Sequence, residues 1–142
     1  MLLNARSVLP KFDELCVLAS TLKPIVIGVT ESWLTPDVPS TLLYLPDYSL
    51  ARNDRVRCRG GGTCIWYRRE MNICQYAPTY IMPECIEVSW IVCTQERFLL
   101  CCAYTPPALT SAQKSSVSQY FMDYFDEFLL TYNRSSCLAI LG

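Results

Sequence analysis

The chain has 142 residues, of which 51% are hydrophobic and 18% charged. That is the size of one ordinary domain and too apolar for a disordered or low-complexity segment. Twelve Lys and Arg stand against thirteen Asp and Glu, a formal charge of −1, which excludes a globally basic nucleic-acid binder and leaves room only for a local basic face. The chain has no histidine, so these residues alone cannot supply a Ser-His-Asp triad, a histidine base or a His-ligated zinc. Met1-Leu2-Leu3-Asn4-Ala5-Arg6 lacks the charged-then-apolar pattern of a secretory signal, and no run approaches the roughly 18 apolar residues of a membrane span. A soluble, intracellular chain with no membrane partner is the expectation. Nine cysteines at 16, 58, 64, 74, 85, 93, 101, 102 and 137 include no Cys-x-x-Cys pair. They read as small apolar core residues of a reducing compartment, with a disulfide scaffold as the other reading.

Met1 to Asn4 reads as the tail of a strand. From Pro10 to Leu22 the apolar positions Phe12, Leu15, Cys16, Leu18, Ala19 and Leu22 form a helical stripe, with Asp13 and Glu14 at its start and Lys23-Pro24 at its end. Ile25 to Val29 is a wholly apolar, β-branched run, as expected of a strand covered on both faces. Strand, helix, buried strand opens an α/β layer structure. Ser32 to Asp47 holds three prolines and reads as a surface loop. Tyr48 to Arg52 and Thr63 to Tyr67 are strand-like, separated by a basic stretch that ends in Gly60-Gly61-Gly62, where positive φ and a tight reversal are available. Cys85 to Val92 alternates, with Ile86, Val88, Trp90 and Val92 on one face and Glu87 and Ser89 on the other. Phe98 to Tyr104 is an apolar strand halted by Pro106-Pro107. Val117, Tyr120, Phe121, Tyr124, Phe125, Phe128 and Leu129 recur at helical spacing and read as core rather than as a base-stacking platform. Cys137 to Leu141 is a last buried strand before Gly142.

Five peptides stand in a telling order: Asn4-Ala5-Arg6-Ser7, Thr30-Glu31-Ser32-Trp33-Leu34, Arg52-Asn53-Asp54-Arg55 followed by Gly60-Gly61-Gly62, Tyr104-Thr105-Pro106-Pro107, and Ile140-Leu141-Gly142. In this order they resemble the endonuclease/exonuclease/phosphatase superfamily, the fold of deoxyribonuclease I, and within it the endonuclease domain of LINE-type (non-LTR) retrotransposons. The resemblance implies an α/β fold, a four-layer α/β sandwich with mixed sheets, of which residues 1–142 form the N-terminal part. A chain cut at both ends is therefore the expectation. The family's Gly-Asp-x-Asn motif would begin at Gly142, and its later Ser-Asp-His region, with the general base, is not among these residues.

The resemblance also implies what each site residue does. Glu31, just past a buried strand at the edge where α/β sheets place ligands, corresponds to the glutamate that binds the catalytic Mg²⁺, a hard cation that prefers carboxylate oxygen. Asn4 and Tyr104, each at a strand end, correspond to polar residues that steady the scissile phosphate. Arg52, Arg55, Arg57 and Arg59 form a candidate DNA-backbone contact, since arginine forks match phosphate. On residue type alone, Glu31 is also consistent with a solvated loop acid, Asn4 with a turn residue, Tyr104 with an aromatic packed on the prolines, and the arginines with a solvated loop. The intact domain is expected to nick DNA by Mg²⁺-dependent phosphodiester hydrolysis for retrotransposition, in the nucleus, with no small-molecule cofactor. The isolated chain is expected to be inactive and poorly soluble, with sheet edges uncovered. A non-catalytic remnant or binding module, and a lipid or inositol phosphate phosphodiesterase of the same superfamily, are the alternatives.

Overall fold

A computed structural model describes residues 1–56, 60–76, 79–132 and 137–141, the last strand by its backbone alone. The elements run β1 (Leu2–Asn4), α1 (Phe12–Leu22), β2 (Val26–Thr30), β3 (Tyr48–Asn53), β4 (Thr63–Arg68), β5 (Ile73–Gln75), β6 (Glu87–Cys93), β7 (Phe98–Tyr104), α2 (Ser111–Tyr132) and β8 (Cys137–Leu141). The helical stripe thus begins as a 3₁₀ turn at Leu9–Lys11 that carries Pro10, and becomes α-helical at Phe12. It ends where Lys23 adopts a left-handed conformation and its N–H closes on Ala19 O at 2.9 Å, ahead of Pro24. The proline-rich loop contains one short 3₁₀ turn, Ser40–Leu43.

Two four-stranded sheets result, in the orders β1-β2-β4-β3 and β5-β6-β7-β8. Both are mixed: β1 runs parallel to β2 and β7 parallel to β8, while the other pairs are antiparallel. The alternation of each strand sorts its side chains between the two faces. In β4, Cys64 and Trp66 meet α1, while Ile65 and Tyr67 meet the second sheet. In β6, Val88, Trp90 and Val92 meet α2, while Ile91 turns inward to Ala51, Ile65 and Cys102. The order of layers is therefore helix, sheet, sheet, helix, the α/β sandwich expected from the sequence.

Three details change or extend the sequence reading. The alternating strand starts at Glu87, because Ile86 N–H bonds Pro83 O and holds residues 83–86 in a turn. The face that carries Glu87 and Ser89, whose covering the alternation left open, packs on the first sheet, and all seven residues of β6 are buried. Strand β5 has no sequence signature: three residues beside Asn72, itself in the left-handed region, are too few to show a period.

The α2 stripe is core, as read. Trp90 lies within 5.0 Å of the Tyr124 ring and 6.0 Å of the Phe121 ring, and donates its indole N–H to Tyr120 Oη at 3.2 Å. Cys101 and Cys102 do face opposite layers. All seven cysteines with described side chains are free, four of them buried. Burial first, then Cys102 nearby, pushes up the Cys101 thiol, and burial holds Cys64 and Cys102 up to about 12, so these thiols stay protonated and unreactive. Among the described residues, no helix is long and apolar enough to cross a membrane. Truncating the most enclosed aromatic on the second sheet, Trp90→Ala, should cost about 3–5 kcal/mol of unfolding free energy in urea titrations.

Candidate active site

Residues 30–34 leave β2 between two walls. On one side Ala5, Ser7 and Val8 donate their N–H groups to the carbonyls of Thr30, Glu31 and Ser32 at 2.9–3.0 Å. On the other, Ser32 and Trp33 donate to Gly62 O and Gly61 O at 3.2 and 3.0 Å. The backbone is held in rare conformations on both sides: Arg6, Ser7, Glu31 and Trp33 all have positive φ, as do Gly60, Gly61 and Gly62. Such clustering of strained residues is a mark of functional sites. A side chain at Gly62 would lie 2.5 Å from Ser32 Oγ, so only glycine lets the loop approach so closely.

Glu31 emerges from this clamp with its carboxylate surrounded by donors. Trp33 Nε1–H and the Gly61 N–H, at 3.2 Å, both reach Oε2. Partial burial alone would raise its pKa, but hydrogen bonds from Tyr104, Trp33 and Gly61 and the Arg55 charge outweigh it and hold the carboxyl below its ordinary value. Tyr104 is shifted the other way, first by donating its hydroxyl to Glu31 and then by burial. A phenol and a carboxylate from different sheets are thus joined at one end of the sandwich.

The other sequence candidates fall at the same end, with different surroundings. Asn4 closes β1 opposite Thr30, one residue from Glu31, and is exposed. Arg52 does not face outward. Its Nε and Nη2 bond Asp54, Nη1 bonds Val38 O and Ser40 Oγ, and Nη2 bonds Thr35 O as well. Those contacts engage all five guanidinium donors. Arg55 forks onto Glu87, Nε to Oε1 at 2.6 Å and Nη2 to Oε2 at 2.9 Å. Its guanidinium carbon sits 5.5 Å from the centre of the Tyr104 ring. Arg57, Arg59 and Gly142 lie outside the described residues.

Glu87, the Gly61 N–H and the Trp33 indole were not singled out from the sequence. The available signal was an acidic residue in register with Ser89 on a buried strand, which requires a cation close by. Among the described residues, no group of three or more His, Cys, Asp or Glu side chains could hold a metal ion. What the donor set does offer is one ionised carboxylate with an amide on the neighbouring strand end. That fits a cation such as Mg²⁺, which keeps several of its waters and needs only one or two protein carboxylates.

The chain is similar to several solved structures. The 3′-5′ exonuclease NExo from Neisseria meningitidis matches with 16% identity and a TM-score of 0.67 over 99% of this chain and 55% of that one. A truncated TDP2 from Caenorhabditis elegans matches at 12% and 0.59, over 95% and 55%. An AP endonuclease from Archaeoglobus fulgidus matches at 14% and 0.57, over 92% and 49%. No protein-family model and no curated protein matches the sequence. At these identities the likeness establishes the fold, and the chain spans about half the length of these structures. It does not separate the retrotransposon branch from the others.

Two predictions follow from this geometry. Gly61→Ala would place a methyl 2.4 Å from the Arg55 guanidinium at a φ of +66°, and a left-handed non-glycine residue alone costs roughly 1–2 kcal/mol; denaturant titration should show at least that loss. Because the Glu31 carboxyl is held below its ordinary value of 4.5, its stabilising contribution is complete above that pH and disappears as pH falls through the lower folded value. The stability difference between the wild-type chain and Glu31→Gln should therefore shrink on acidification below about pH 4.5, as followed by thermal unfolding across pH.

Proposed function

We propose that the chain carries the metal-holding and phosphate-facing part of a divalent-metal-dependent phosphodiesterase site that acts on DNA. The observation that supports this most directly is the meeting of Glu31 and Tyr104 across the two sheets: an ionised carboxylate fixed by three donors beside a protonated phenol, at an edge of strand ends. Glu31 would hold Mg²⁺, which when bound supplies charge to offset the developing negative charge on phosphorus oxygens. With a substrate present, the Tyr104 hydroxyl would turn its single proton from Glu31 to a phosphate oxygen, and Asn4 would orient a second oxygen through its amide.

In the hydrolysis so served, a water oxygen bonds to phosphorus as its proton passes to a base, and the P–O bond to the leaving sugar breaks with its electron pair going to the sugar oxygen, which takes up a proton. With no histidine in the 142 residues, the Asp-His base pair implied by the family resemblance is not filled by this chain. We therefore assign it cation and phosphate binding without turnover of its own. DNA as the substrate is supported by structural neighbours that include NExo bound to a product DNA hairpin. Nicking of target DNA by a LINE-type retrotransposon endonuclease, in the nucleus, is the finer assignment, and it rests on the five ordered peptides. A backbone-contact role in the arginine stretch falls to Arg57 and Arg59 under this reading, since Arg52 and Arg55 serve internal partners.

The test is a thermal shift on the 142-residue chain with Mg²⁺ or Mn²⁺. Ligand at a hundred times its Kd stabilises the native state by about 2.7 kcal/mol, enough to raise Tm by several degrees. Glu31→Gln should abolish that rise. An unchanged Tm in the wild-type chain, or an equal rise in the variant, overturns the assignment of Glu31 and leaves the non-catalytic remnant as the better reading.

A further inference from the structure

Arg55 touches more of this site than any other cation described. It follows β3 of the first sheet, and its guanidinium crosses to the second sheet to fork onto Glu87. Glu87 is paired in register with Tyr104 on the neighbouring strand, so the anchor and the phenol that meets Glu31 share one rung of the ladder. Glu87 Oε2 also accepts the Gly62 N–H at 3.4 Å, which ties the anchor to the glycine loop. The guanidinium then lies over the Tyr104 ring on one side and packs against Gly61 on another, where no Cβ could be accommodated. Tyr104 and Gly61 are two of the three donors to the Glu31 carboxylate. One planar cation thus braces a donor on each side of Glu31.

We propose that Arg55, clamped by Glu87, is the positioning residue of this site: it seats the Tyr104 ring and the Gly61 amide so that both donate to Glu31. The proposal rests on the reading of Glu31 and Tyr104 as site residues. A simple tie between the sheets would not require these residue types, since a buried ion pair contributes little more than apolar side chains of the same volume. What an apolar pair lacks is a flat cation that stacks on an aromatic face while its edge holds a carboxylate.

The experiment replaces both charges at once, Arg55→Met with Glu87→Leu, in the metal-free 142-residue chain. The readouts are NMR signals of selectively labelled Tyr104 and the indole N–H of Trp33, the latter assigned by its loss in Trp33→Phe. The expected result is a chain that still unfolds cooperatively but whose Tyr104 signals leave their wild-type positions and whose Trp33 signal moves toward that of Tyr104→Phe. In a Tyr104→Phe background the same double replacement should move the Trp33 signal by less, since only the Gly61 amide is then left to be released. Unchanged Tyr104 and Trp33 signals in the folded double variant overturn the proposal and leave the pair as a tie between sheets. Should that variant not fold, Arg55→Lys keeps the ion pair without the planar fork, and unchanged Tyr104 signals there are equally decisive against it. These readouts need no cation, so a failure of Glu31 to bind metal leaves the result interpretable.

Discussion

The site depends on the clamping of one short loop. Residues 30–34 leave a buried strand and are caught by backbone hydrogen bonds from residues 5–8 on one side and to the triple glycine on the other. Peptide groups held from both sides cannot relax their φ angles, so Glu31 and Trp33 stay in the left-handed region despite the cost of that conformation for side-chain-bearing residues. The strain has a structural outcome. It turns Trp33 back so that its indole donates to Glu31, two residues before it, and leaves the carboxylate aimed at the end of the second sheet. A loop free to rearrange would give this carboxylate back to water.

The interface between the sheets is graded along the strands. Its middle is apolar, with Ala51, Ile65, Tyr67, Ile91 and Cys102 in contact. Toward the site it becomes polar in matched pairs. Thr63 Oγ1 and Ser89 Oγ lie 2.8 Å apart, Asn53 Nδ2 donates to Val88 O at 3.0 Å, and Arg55 meets Glu87. Each of these polar groups has a partner on the opposite sheet, which is the condition for keeping it there. Hydrophobic contact brings the sheets together, and these directional pairs then set their register at the end where the chemistry is proposed. Tyr104 and Glu31 can meet because the two sheets are locked at that end.

The basic stretch illustrates how charge in a sequence changes meaning in a fold. Six arginines within eighteen positions invite a phosphate-binding reading. Arg52 and Arg55 instead turn to Asp54 and Glu87, and Arg68 and Arg69 lie over the rings of Tyr48 and Tyr44. Arg52, with all five guanidinium donors engaged, is part of the frame, whatever the local charge count.

Periodicity and residue type determined a good deal without the fold. The helical stripe from Phe12, the wholly apolar strand before Glu31, the aromatic face of α2 and the glycine reversal all follow from local spacing and backbone freedom, and the structure places them accordingly. Strand ends were legible as well, and the family resemblance of the flanking peptides picked out Asn4, Glu31 and Tyr104 at them. What the sequence could not contain was which groups meet across the two sheets. Strand β5 is too short to carry a period, and the alternation that set Glu87 apart from Ile86 and Val88 did not say what covers its face. Arg55 and Glu87 are 32 residues apart, and Glu31 and Tyr104 are farther still. Pattern along a chain reports which face of an element is apolar; the partner of a buried charge is decided only when packing removes water and leaves one group within reach.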